Sequence, residues 1–409
     1  MKQIVTSILD NDLYTFTCMY YILQKYPHAQ VGYTFFDRNR YKYPKGFAEL
    51  LQEQVNGMAN IKMTDEEAAF MERKCYFIPS WFWTLLKGYR FDPSEVHISQ
   101  DEEGYLSVEI EGDWWRGIVW EMPILSTISE LAHILNGDID KIEPEMEYKR
   151  SFAKCKKLIT NSVVFSDMGT RRRCSYETQD ILLKAFKDCS EKYVDAPGKF
   201  VGTSNCHFAM KYDLTPIGTM SHQIISFEEI MSGVFECNFS VMKNWSDVYG
   251  GNLGIMLYDC FGDDVFFKNI SSKYAKLFSG LRVDSGDNME QLSKIVAMYE
   301  NFNINPQTKQ VIFSNGLSID KAIQIHKEVD GRVDDSMGIG TAFCCGFEEF
   351  GHVPSLDIKP MNIVIKLTKG RYSKNREWHD CIKLSCDKGK TLGNSEKCHF
   401  LQKQLGMIE

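Results

Sequence analysis

The chain has 409 residues, a formal net charge of −8, and 44% hydrophobic and 25% charged residues. That length accommodates two or three domains or one large barrel with additions, and the composition is that of an ordinary globular protein. An acidic balance without a long Lys/Arg run speaks against nucleic-acid binding, and the absence of an uninterrupted apolar run of about 18 residues speaks against a membrane span.

Residues 1–150 read as an α+β domain. "NDLYTFTCMYYILQKY" carries apolar residues at helical spacing behind an Asn/Asp cap. "AQVGYTFFDR" follows as a strand. "FAELLQEQVNGMANI" and "TDEEAAFMERKCYFI" are predicted helices, the second with a capping box at Thr64 and Glu67. "LSVEIEG" alternates as a strand, and "WWRGIVWEMPILSTISELAHIL" is expected to run from a strand into a helix.

From about residue 150 short apolar or β-branched runs alternate with helical patterns. The runs are "NSVVFSD", "GKFVGTS", "LTPIGTM", "NLGIMLYD", "SGLRVDSG", "KQVIFSN" and "DSMGIGT". Such alternation predicts parallel strands, and six or seven units suggest a barrel. Most runs end in polar residues and glycines: Asp167–Gly169, Gly202–Asn205, Gly218–His222, Asp259, Arg282–Gly286, Ser314–Gly316 and Gly338–Thr341. In a parallel barrel the carboxyl ends of the strands share one face, so these residues are predicted to form a site there. After about residue 360, "MNIVIKLTKGRYSKNREWHDCIKLSCDKGKT" reads as two strands around a polar turn, expected to join the N-terminal sheet.

The chemistry of that face is oxygen and anion chemistry. Arg171, Arg172 and Arg173 follow a strand end, where guanidinium forks suit carboxylates and phosphates. Arg171 is the first choice for an inward side chain, with others of the triplet pointing outward. Arg282, Lys383 and Lys390 add charge. Gly316, Gly338 and Gly340 permit close backbone approach to a phosphate. "GIGT" departs from G-x-G-x-x-G at Phe343, so a dinucleotide-dependent oxidoreductase is poorly supported. Asp259, Asp284 and Ser285 could hold sugar hydroxyls or a magnesium ion.

The 13 cysteines lack any C-x-x-C and read as free thiols in a reducing cytoplasm. "CDKGKTLGNSEKCHF" offers one histidine and irregular gaps, and no protein metal site is expected.

The stretches "LDNDLYTFTCM", "DMGTRRRCS", "GTSNCHFAMKYDLTPIGTMSHQ", "GLRVDSGD", "MNIVIKL" and "KLSCDKGKT" together strongly resemble the nicotinate phosphoribosyltransferase family, in family order over almost the whole chain. The resemblance implies a type II phosphoribosyltransferase fold. Its parts are an N-terminal α+β domain (1–150), an irregular α/β barrel (151–358) and a C-terminal segment (359–409) packing on the first domain. It implies transfer of nicotinate onto 5-phosphoribosyl 1-pyrophosphate, giving nicotinate mononucleotide and pyrophosphate in NAD biosynthesis. ATP and Mg2+ take part, through a phosphohistidine matching His222. It further implies a cytoplasmic homodimer with sites at the subunit interface, no nucleic acid and no membrane.

By the same resemblance Tyr14, from the neighbouring subunit, and the residue at Met168 flank the pyridine ring. Arg171 pairs with the nicotinate carboxylate. Arg282, Asp284, Ser285, Gly286, Gly316, Gly338, Gly340 and Thr341 hold ribose and 5′-phosphate. Lys383 and Lys390 lie near pyrophosphate or ATP, and Asp259 stabilises the sugar cation or orients the base. Arg38 or Arg40 is a looser match. Met168 stands where relatives carry Phe, Asn315 where they often carry Asp, and Asp387–Lys388 replaces a Ser-Pro pattern. Ser204 replaces an Asp of the nicotinamide-using relatives, which favours nicotinate. The alternatives are a nicotinamide phosphoribosyltransferase of the same fold and a non-catalytic ligand-sensing relative.

Overall fold

The computed structural model describes residues 1–384, 391 and 393–408. Among the described residues eleven strands form two sheets: β1 (Gln30–Asp37), β2 (Val96–Gln100), β3 (Leu106–Asp113), β4 (Val164–Asp167), β5 (Lys199–Thr203), β6 (Ile255–Leu257), β7 (Gly280–Val283), β8 (Gln310–Phe313), β9 (Asp334–Ile339), β10 (Ile363–Arg371) and β11 (His379–Asp380). The first sheet has the order β11-β10-β1-β3-β2 and is antiparallel; the second has the order β5-β4-β9-β8-β7-β6 and is parallel. A continuous apolar core, including Trp83, Trp114 and Trp120, extends through both.

Local sequence accounts for most elements. Thr64 accepts from the Glu67 amide while Glu67 reaches back to Thr64, the expected capping box of helix Asp65–Lys74. Helix Ile319–Val329 presents Ile319, Ala322, Ile323, Ile325 and Val329 to the core and starts behind Ser318, which accepts from the Lys321 amide. β10 pairs antiparallel with β1 over its whole length, which returns the C-terminal segment to the first sheet.

Three expectations fail locally. The run "WWRGIVW" is not a strand: β3 ends at Asp113, and Trp114–Gly117, Ile118–Trp120 and Glu121–Leu135 follow as helical segments. Trp114, Ile118, Val119 and Trp120 are all buried, so the alternation a half-exposed strand needs is absent. By length and apolarity Trp114–Leu135 could cross a membrane, but 89% of it is buried within the fold. Asp12 does precede helix Leu13–Lys25 but makes no side-chain cap; its carboxylate takes the Ser204 hydroxyl instead.

"LTPIGTM" is also not a strand. Pro216 has no amide hydrogen and Gly218 sits at φ +140°, so no regular ladder forms. The run nevertheless lies between the two edges of the parallel sheet. Ile217 N donates to Thr203 O beside β5 (2.9 Å), and Thr219 Oγ1 donates to Ile255 O on β6 (2.9 Å). This irregular segment spans the opening between β5 and β6, and it delivers residues 220–222 to the carboxyl ends of the strands.

Candidate active site

A cavity of about 370 Å³ opens at those strand ends. Its lining includes Tyr14, Met168, Arg171, Ser204, His222, Arg282, Asp284, Gly316, Gly338, Gly340, Thr341 and Lys383, twelve of the residues expected there. Asp259, Ser285 and Gly286 do not line it, and Lys390 lies outside the described residues.

His222 is the first residue of helix His222–Ser232. Its ring Nε2 lies 2.8 Å from Asp259 Oδ1, and Ser285 Oγ donates to Asp259 Oδ2 at 2.6 Å. Lys383 Nζ lies 3.1 Å from the same ring nitrogen and 3.6 Å from Asp259 Oδ2. The segment carrying Lys383 is held there by Leu384 N donating to Cys260 O, 2.9 Å. One nitrogen cannot both donate to Asp259 and accept from Lys383. Burial pushes the Asp259 carboxyl up, but Lys383 and His222 outweigh it and hold it well below the usual carboxylate range. An ionised Asp259 therefore takes the ring N–H, and Lys383 serves that carboxylate. The other ring nitrogen keeps its lone pair.

Asp259 was expected to stabilise the sugar cation or to orient the base. Both its oxygens are engaged behind His222 and its residue is 3% exposed, so it orients the imidazole instead. Ser285 likewise turns to Asp259. Of the two strand-end aspartates, the one that faces the cavity is Asp284, whose Oδ1 accepts from Ser314 Oγ (2.8 Å) and lies 3.5 Å from Arg282 Nη2. Burial raises its pKa, but Arg282 and His222 bring it down to about 2. Burial and Lys383 together hold the His222 imidazolium below its ordinary value, against the pull of Asp259.

The lining is strongly cationic. Arg38, Arg171, Arg172 and Lys366 belong to it, and with Arg282 and Lys383 they set six cations against Asp12, Glu121 and Asp284, in a chain of net charge −8. Burial, with Arg171 and Arg38 alongside, lowers the Arg172 guanidinium to about 9; burial lowers Lys366 to about 8 despite Glu121. An anion seated there relieves this crowding. Lys366 was not anticipated: in "NIVIKL" it reads as the outward residue of an alternating strand.

The arginine triplet divides differently from expectation. Arg173 does not point outward but is fully buried, its two terminal nitrogens each donating to Asp10 at 2.8 Å. Asp167 accepts from Thr203, Gln179 and the Gly169 amide, fixing the turn that leads into the triplet.

Met168 packs against Gly338: a Cβ on Gly338 would fall 2.6 Å from its sulfur, so that glycine makes room for Met168. Gly316, at φ +58°, has open space where its Cβ would be; there the backbone conformation, not crowding, selects glycine. Asn315 donates to Gly286 O at 3.2 Å and ties two strand-end loops together. Tyr14 lines the cavity of its own chain. The acid absent at Ser204 stands beside it as Asp12, which burial raises to about 6.

A parallel α/β sheet with a cationic, histidine-bearing cavity at its strand ends is the arrangement of an α/β enzyme suited to an anionic reactant. Residues 163–405 match the model of the nicotinate phosphoribosyltransferase (NAPRTase) family, and residues 9–129 match that family's N-terminal domain. A protein named nicotinate phosphoribosyltransferase from Desulforapulum autotrophicum is 38% identical, over 96% of this chain and 97% of its own. Another of that name from Chromohalobacter salexigens is 35% identical, over 98% of each. The crystal structure of the Porphyromonas gingivalis nicotinate phosphoribosyltransferase superposes with a TM-score of 0.90 at 36% identity, covering 98% of this chain and all of that one. The chain belongs to the nicotinate phosphoribosyltransferase family.

Proposed function

We propose that the protein joins nicotinate to 5-phosphoribosyl 1-pyrophosphate, forming nicotinate mononucleotide and pyrophosphate, and hydrolyses ATP through a phosphorylated His222. The observation that carries this reading is the Ser285–Asp259–His222 relay, which presents His222 to a cavity also lined by Arg38, Arg171, Arg172 and Lys366. The pyridine nitrogen is itself the nucleophile at sugar C1, and the C1–oxygen bond to pyrophosphate breaks. The protein's work is therefore positioning and charge stabilisation. Arg171 pairs with the nicotinate carboxylate, Tyr14 and Met168 bracket the ring, and Asp284 faces the developing positive charge of the sugar.

His222, kept neutral by burial and by Lys383, attacks the terminal phosphorus of ATP with its free ring nitrogen and releases ADP. Water later cleaves the phosphorus–nitrogen bond and phosphate departs. Its place at a helix N-terminus favours the added negative charge. Magnesium suits the cavity only in part. Ligating atoms of His222, Asp259 and Asp284 lie within 4.8 Å of one another, but Asp259 is committed to His222 and Ser285. Asp284 is the residue that would hold it, and the ion would supply charge neutralisation on the phosphates.

The test is turnover of purified protein with phosphoribosyl pyrophosphate, magnesium and ATP, offering nicotinate and nicotinamide in parallel. Mononucleotide from nicotinate, faster with ATP, is expected; equal or greater use of nicotinamide overturns the substrate assignment.

The pH dependence has a fixed sign. A depressed His222 pKa puts the acid limb of ATP-stimulated turnover below the ordinary histidine value of about 6.5. Asp259→Asn removes a group that stabilises the charged ring, so the limb moves further to acid. Lys383→Met removes a group that destabilises it, so the limb moves toward alkaline. A limb at the same pH in all three proteins contradicts the relay.

A further inference from the structure

A second cluster of ligating side chains lies outside the cavity. His133, Cys174 and Cys345 are buried, and their ligating atoms all fall within 4.8 Å of one another. They come from three distant stretches: helix Glu121–Leu135, the residue after the arginine triplet, and the end of the turn that follows β9. We propose that His133, Cys174 and Cys345 form a zinc site that ties the two strand-end loops carrying Arg171–Arg172 and Gly340–Thr341 to the helix behind them.

The geometry suits the ion. Zinc holds sulfur at about 2.3 Å and nitrogen at about 2.0 Å, which spreads tetrahedral ligands roughly 3.5–3.8 Å apart. Cys345 Sγ lies 3.7 Å from His133 Nε2. The imidazole is already oriented: its Nδ1 lies 2.9 Å from Asp138 Oδ2, so Nδ1–H donates to that carboxylate and Nε2 presents its lone pair to the sulfurs. Lys141 Nζ balances Asp138 at 2.8 Å. The backbone fixes the two cysteines, since Cys174 N donates to Cys344 O (3.0 Å) and Cys345 N to Thr341 O (2.9 Å). The neighbouring Cys344 takes no part; its thiol turns the other way, to Asp167 Oδ1 at 3.3 Å.

Charge supports the assignment. Zinc entry deprotonates two thiols and releases two protons to solvent, leaving a divalent cation between two thiolates and a neutral imidazole. The product is neutral overall, which fits a pocket packed with Phe347 and Ile358. The three protein ligands leave one of zinc's four positions open to a further donor. No C-x-x-C spacing announces the site, because the three residues meet only in the fold.

The test uses the full-length protein, stripped with chelator and titrated with Co2+ under anaerobic conditions. Expected are a thiolate-to-cobalt charge-transfer absorption saturating near ~1 equivalent per chain, and its displacement by Zn2+. Cys345→Ser should lose the band and Cys344→Ser should keep it. Should Cys345→Ser fail to fold, the unaltered protein gives a second readout. At a urea concentration that makes Cys174 and Cys345 of the stripped protein reactive, zinc should protect both from alkylation, mapped by peptide mass, and chelator should restore it. No absorption band, a band retained in Cys345→Ser, or equal alkylation with and without zinc overturns the site. So does an intact mass lower by two hydrogens, with Cys174 and Cys345 found as a disulfide.

Discussion

His222→Ala is expected to abolish the stimulation of turnover by ATP while a slow, ATP-independent transfer of the phosphoribosyl group persists. The two activities separate because their groups separate in space. His222, Asp259, Ser285 and Lys383 form one hydrogen-bonded and ion-paired unit. The groups that would bind and align nicotinate, Arg171, Tyr14 and Met168, share none of those contacts. Removing the imidazole takes away the only proposed phosphoryl acceptor, so phosphate release from ATP falls to background. The remaining cations still neutralise a departing pyrophosphate. Asp259, left buried beside Lys383 without its ring partner, keeps that cation as a counter-charge, so folding survives. Initial rates with and without ATP, together with phosphate release, measure the effect. A His222→Ala protein that ATP still accelerates shows that the histidine does not carry the phosphoryl group.

Much of this site is legible in the chain because parallel strands end where their sequence turns polar. Seven such endings mark one face, and nine of the twelve expected residues that line the cavity come from them. What escapes the sequence has physical causes. Pro216 and Gly218 deny "LTPIGTM" a ladder, although the run still stands between β5 and β6. Asp259 and Asp284 both follow parallel strands, and spacing alone does not tell which turns inward; Asp259 turns behind His222 and Asp284 into the cavity. Lys366 lies in an alternating strand, where a lysine ordinarily marks the wet face, but here that face is the cavity wall. Arg38 reaches the same wall from the end of β1, brought there by pairing between β1 and β10, two strands more than 300 residues apart in sequence. The meeting of His133 with Cys174 and Cys345 is likewise a product of the fold alone.

Neighbouring arginines are expected to give opposite phenotypes. Arg171 lines the cavity and makes no hydrogen bond or ion pair with the described residues, so Arg171→Ala should leave folding stability unchanged. Its cost appears when nicotinate binds: a buried carboxylate deprived of its charged partner loses about 2–5 kcal/mol, a rise in the nicotinate KM of roughly 30-fold or more. Arg173 is the reverse. It is fully buried, holds Asp10 through two bonds of 2.8 Å and lies 3.8 Å from Glu130. Burial drives the Asp10 carboxyl up, and Arg173 overturns that and holds it below the usual range. Arg173→Ala leaves that carboxylate uncompensated in the core, at a cost of about 3–5 kcal/mol in stability. Asp10 also receives the Asn205 amide at 2.7 Å, and Asn205 caps helix Cys206–Tyr212 through the Phe208 amide, so the damage spreads to the loop that bears Ser204. Urea unfolding of the two variants, set beside their nicotinate KM values, separates the roles. If Arg171→Ala unfolds early with an unchanged KM, or Arg173→Ala keeps full stability, the division of the triplet into a binding and a supporting arginine is wrong.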